Sequence, residues 1–95
     1  MKNQALGEIY RKEKQMNLEK QLEEFYSMLD YRPVSSNAIS LYGVILIIAK
    51  KSGWKSDVKI ANSILTSKCK LSISALQRAR NELITSEYIT YKKRI

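Results

Sequence analysis

Histidine is missing from this chain of 95 residues, and cysteine occurs once, as Cys69. Zinc centres need clustered Cys and His ligands, so no metal site is expected. Cys69 falls in the polar stretch Ser67-Lys68-Cys69-Lys70 and reads as an unpaired thiol in a reducing compartment. A phosphate-cradling loop is also lacking, because Gly53-Trp54-Lys55-Ser56 has a glycine and a Lys-Ser pair without the required spacing. No catalytic constellation emerges, so the chain reads as a protein that is not an enzyme and needs no cofactor. Long apolar runs are absent too. The most apolar window, Ile39 to Ala49, is too short to span a bilayer. The N-terminus is rich in Lys and Glu, unlike a basic stub followed by an apolar run. A cytoplasmic protein without a membrane partner is the expectation.

Acidic residues are scarce in one half only. Through Pro33 there are six basic residues (Lys2, Arg11, Lys12, Lys14, Lys20, Arg32) and six acidic ones (Glu8, Glu13, Glu19, Glu23, Glu24, Asp30). Beyond Pro33, 11 basic residues face only Asp57, Glu82 and Glu87, so the whole net charge of +8 lies there. Such a surface attracts phosphates whatever their sequence, with an affinity that falls steeply as salt rises. Anionic lipid fits poorly, because the cations are spread over turns, a helix and a predicted strand rather than along one long amphipathic helix. RNA fits less well than DNA, since no predicted strand carries paired exposed aromatics for base stacking.

What is present suffices for one small domain: 44% of the residues are hydrophobic, enough for a single core. Residues 1–17 are charged and weakly periodic, an N-terminal arm or helix extension. Residues 18–95 form the predicted domain. Leu18, Leu22, Phe25 and Leu29 follow helical spacing, and that helix ends before Pro33 because the residue preceding a proline is pushed out of helical geometry. Ser35, Ser36 and Asn37 offer a fresh cap for a helix from about Asn37 to Ser52, apolar almost all round and therefore central. Lys50 and Lys51 suit its C-terminal dipole, and Gly53 can take the left-handed stop. Val58 and Ile60 alternate around Lys59, which predicts a short strand. Asn62 or Ser63 can cap the two-turn helix that carries Ile64 and Leu65.

The most informative stretch is Leu71 to Ile84 and the Tyr88-Ile-Thr-Tyr-Lys-Lys-Arg94 that follows. Ser72 is positioned to cap a helix over about 73–86. Ile73, Leu76, Ala79 and Leu83 share a predicted buried face at roughly 100° per residue, while Ser74, Gln77, Arg78, Asn81 and Thr85 project opposite. Arg pairs with guanine, and Asn or Gln with adenine, in the major groove. Ser74, Gln77, Arg78 and Asn81 are thus the candidates for reading bases. Arg80 projects near the core edge and is expected to snorkel or to pair with a carboxylate such as Asp57. Ile89 and Tyr91 alternate as in a strand that would pair with Val58 to Ile60, bringing Lys92, Lys93 and Arg94 to a wing tip. Those three, with Lys68, Lys70 and Ser72, are the candidates for phosphate contact. The predicted order is helix, helix, strand, helix, turn, helix, strand: mainly α with a small β-hairpin, a winged helix-turn-helix with an extra N-terminal helix. A full wing needs a returning strand and the chain stops at Ile95, so either the wing is half-built or the chain is a fragment of a longer protein.

Val58-Lys-Ile-Ala-Asn-Ser-Ile-Leu65, Leu71 to Leu83 and Tyr88-Ile-Thr-Tyr-Lys-Lys93, preceded by Ile39-Ser-Leu-Tyr42 and Lys51-Ser-Gly-Trp54, resemble the N-terminal winged-helix domain of DnaD-like replication initiation proteins of Gram-positive phages and mobile elements. The resemblance covers roughly residues 21–94. It implies a role in initiating DNA replication, by recognising origin DNA or organising the complex that loads a helicase, with double-stranded DNA and a helicase or loader as partners. Such proteins often have Gly where Glu87 stands, and Thr-Gly where Cys69-Lys70 stands. Relatives of this kind are also implied to self-associate. That keeps open an interaction module with little DNA binding of its own, in which Leu18, Leu22, Phe25 and Leu29 form a homo-oligomer seam rather than a core face.

Overall fold

A computed structural model gives the structure of the protein and describes residues 17–54 and 58–90. Four helices follow one another: α1 (Leu18–Met28), α2 (Ser36–Lys51), α3 (Asn62–Cys69) and α4 (Ile73–Thr85). Helix α2 touches each of the other three, and α3 and α4 also pack on one another. The reason lies in its sequence. With Ala38, Leu41, Tyr42, Ile45, Leu46 and Ala49 all buried, α2 presents apolar surface over most of its circumference and must be covered from several sides.

Each helix start has a local cause. Asn17 accepts from the Lys20 amide at 3.0 Å, Ser35 from Ala38 at 3.3 Å and Ser72 from Ala75 at 3.1 Å, each satisfying a first-turn N–H that has no partner within its helix. Helix α3 is the exception. Its cap is Ala61, whose methyl side chain offers no acceptor, while Asn62 and Ser63, the expected caps, are the first two helical residues.

The ends of α2, α3 and α4 share one device. After α2, Gly53 takes a left-handed φ of 80° and the Trp54 amide donates to the Ala49 carbonyl at 2.8 Å. After α3, Lys70 takes φ 59° and Leu71 donates to Thr66 at 3.1 Å. After α4, Glu87 takes φ 65° and Tyr88 donates to Leu83 at 2.8 Å. All three have the six-to-one hydrogen bond of the Schellman motif, which reverses the chain across the end of the helix.

The expected β-hairpin is not formed: among the described residues there is no strand. Val58 is buried and Lys59 exposed, as alternation requires, but the segment is not assigned as a strand. Of the residues predicted to pair with it, Tyr88 and Ile89 follow directly on left-handed Glu87. Tyr88 and Ile89 are both buried, two consecutive side chains where a strand would bury only one. Tyr91, Lys92, Lys93 and Arg94 lie outside the described residues, as do Asp57 and the predicted arm up to Met16. The winged helix-turn-helix is therefore corrected to an all-helical domain over the described residues. No helix among these is long and apolar enough to cross a membrane.

Tyr88 closes the core instead. Its ring meets Phe25 of α1 edge to face at 4.7 Å, and Phe25 stacks on Tyr42 of α2 at 4.0 Å. The Tyr88 hydroxyl donates to the Arg32 carbonyl at 2.8 Å, and the Arg32 guanidinium lies 4.7 Å over the Tyr88 ring. Helix α1 is thus held between α2 and the chain that leaves α4. Phe25 is buried, and Leu18, Leu22 and Leu29 pack partly buried against the core, which places the whole apolar stripe of α1 on the core side.

Candidate nucleic-acid interface

Helix α4 is fixed to the domain along one face by Leu76, Ala79 and Leu83, all fully buried or nearly so. Ile73, expected on that face, is instead 50% exposed. It is the first residue of the helix, where the direction set by periodicity still holds but the core no longer reaches. Arg80 is buried, as its projection near the core edge predicts. It donates to the Asn62 amide oxygen at 2.6 Å, tying α4 to the start of α3.

The opposite face carries Ser74, Gln77, Arg78, Asn81 and Thr85, every one exposed. Arg78, Asn81 and Thr85 also line a shallow depression with Pro33, Glu82 and Ser86. At the N-terminal end of α4, the Ser72 hydroxyl lies 3.4 Å from that of Ser74. Lys68, in the last turn of α3, and Lys70, its C-cap, are both exposed. Cys69 between them is not in a polar turn, as expected, but is the last residue of α3, half-buried and unpaired. Burial pushes its thiol up from the ordinary range. The structure therefore places Ser72 and Ser74 together at the start of α4, with Gln77, Arg78 and Asn81 following along the helix. Lys92, Lys93 and Arg94 fall outside the described residues.

Glu82 is the one acidic residue of α4, and periodicity gave no sign of what it does. Its two carboxylate oxygens accept from the Ser35 amide at 2.7 Å and the Ser35 hydroxyl at 2.8 Å. Helix α2 has no acid in its own first turn, so the carboxylate from α4 meets the positive end of its dipole. The carboxylate keeps its charge beside Asn81, but both of its oxygens are turned to Ser35. Ile73 is a second feature missed in the sequence, since an exposed aliphatic at the tip of such a helix can touch a thymine methyl. Compared with models of known protein families, with curated proteins and with solved structures, the chain matches none.

Proposed function

We propose that this chain is a DNA-binding domain that lays α4 in the major groove of duplex DNA and serves in the initiation of DNA replication. The observation that carries the reading is the outer face of α4. It exposes Ser74, Gln77, Arg78 and Asn81 while its one carboxylate is bonded to Ser35. Arg78 supplies a bidentate donor for guanine, and Asn81 and Gln77 the matching pair for adenine. Lys68 at the end of α3, Lys70 after it and Ser72 at the cap of α4 would then contact the phosphates flanking the groove. The part in replication rests on the resemblance to DnaD-like initiators.

Fluorescence anisotropy of a labelled duplex, with single-stranded DNA in parallel and at two salt concentrations, tests the reading. Duplex is expected to bind in preference, with an affinity that falls steeply with salt. Arg78→Ala or Asn81→Ala is expected to cost about 1–3 kcal/mol and to relax sequence preference, while Lys70→Ala weakens all sequences alike. Equal affinity of all three variants and the parent would remove α4 from the interface.

A further inference from the structure

Helix α3 has 8 residues and α2 has 16, so at 1.5 Å per residue they run for about 12 and 24 Å. The shorter helix leaves part of its neighbour uncovered. An open groove of about 750 Å³ lies there, floored by Val44, Ile47, Ile48, Ile60 and Ile64. Ile47 and Ile64 are 42% and 45% exposed. Lys51, Lys68 and Lys70 stand around the hydrocarbon floor, and among the described residues no acidic residue lines the groove.

We propose that this groove docks an acidic amphipathic helix of a partner protein, with Leu, Ile or Phe at helical spacing to fill the floor and Asp or Glu beside them to meet the lysines. The two halves of the site select that chemistry together. Nucleic acid would satisfy the lysines but leave the isoleucines without apolar contact, whereas a neutral apolar helix would leave the lysines unanswered. The chain's own segments beyond the described residues do not complement the rim. Residues 1–16 carry four basic side chains against two acidic, residues 55–57 one of each, and residues 91–95 three basic and none acidic. A second copy offers the acids of α1, but Leu18, Leu22 and Leu29 of that helix already pack on their own core. The docking site stands independently of the DNA reading, and the two surfaces meet at Lys68 and Lys70. An acidic partner there competes with phosphate for the same two cations.

The probe is a fluorescein-labelled peptide of about four helical turns with Leu on one face and Glu beside it, set against a scrambled peptide of the same composition. Titrated with the full chain, the patterned peptide is expected to bind roughly tenfold or more tightly than the scrambled one. Ile64→Asp and Ile47→Ser, both at exposed positions, are each expected to weaken it by roughly tenfold with an unchanged circular dichroism spectrum. Arg78→Ala is expected to leave peptide affinity unchanged, which separates this site from the DNA face. Equal binding of the two peptides, or affinity indifferent to both isoleucine changes, would overturn the proposal. So would self-association of the chain in sedimentation that Ile64→Asp abolishes, since a second copy would then be the occupant. Binding to phosphatidylglycerol vesicles that depends on Ile64 would assign the groove to lipid and overturn it as well.

Discussion

Tyr42 shows what a single side chain contributes here. Its phenol is pushed up to about 12 by burial, with Glu24 and Tyr88 adding to the effect. The fold therefore favours the neutral form. Since the folded value lies above the ordinary 10.0, the stabilisation is fully present below pH 10 and is lost as pH climbs from there towards about 12. The loss is about 1.4 kcal/mol for each pH unit between the two values. Urea titrations across that window are expected to show a steep fall in stability for the parent chain and a much shallower one for Tyr42→Phe. Parallel curves would mean that the phenol ionises as readily in the folded chain as in the unfolded one.

Among the elements, the helix ends carry the most consequence. Lys70 and Glu87 hold left-handed backbone that costs a side-chain-bearing residue about 1–2 kcal/mol, part of which glycine gives back through the entropy of the unfolded chain. Lys70→Gly and Glu87→Gly are each expected to raise stability by up to about 1 kcal/mol, read from the denaturation midpoint. Lys70→Gly is expected to weaken DNA binding at the same time. Glu87→Gly also removes the ion pair from Arg32 at 3.6 Å, but with Glu87 largely exposed this is a minor loss. These ends also mark where the sequence was legible. The caps at Ser35 and Ser72, the central place of α2 and the outward row on α4 follow from hydroxyl chemistry and period alone. The missing hairpin does not, because alternation around Lys59 and at Ile89 reports which side chains are buried and says nothing about a backbone partner. Glu87 takes a conformation usual for glycine, and no local pattern announces that choice in a glutamate. The Tyr88 contacts with Arg32 and Phe25 were equally hidden, since they join residues more than fifty positions apart.

For the molecule as a whole, stability rests on the faces that meet at α2. Leu41 and Leu76 are completely buried, and truncating either to Ala is expected to cost about 2–5 kcal/mol in denaturant titration. Glu82→Ala should cost about 1–3 kcal/mol, because it removes charge-assisted bonds to Ser35. If Ser35→Ala and Glu82→Ala act through that one contact, the double variant loses less than the sum of the two. Strictly additive losses would show that each acts through something else.

The pair from Ser35 to Glu82 also works as a register mark. Sliding α4 by one residue along α2 would shift its carboxylate by about 1.5 Å and swing it by about 100°, breaking both bonds at once. Leucines and alanines tolerate neighbouring placements far better than a two-point polar contact does. The clamp thus selects, among nearly equivalent packings, the rotation of α4 that turns Arg78 and Asn81 outward. A residue that touches no DNA in the proposed complex thereby determines which side chains are available to read it.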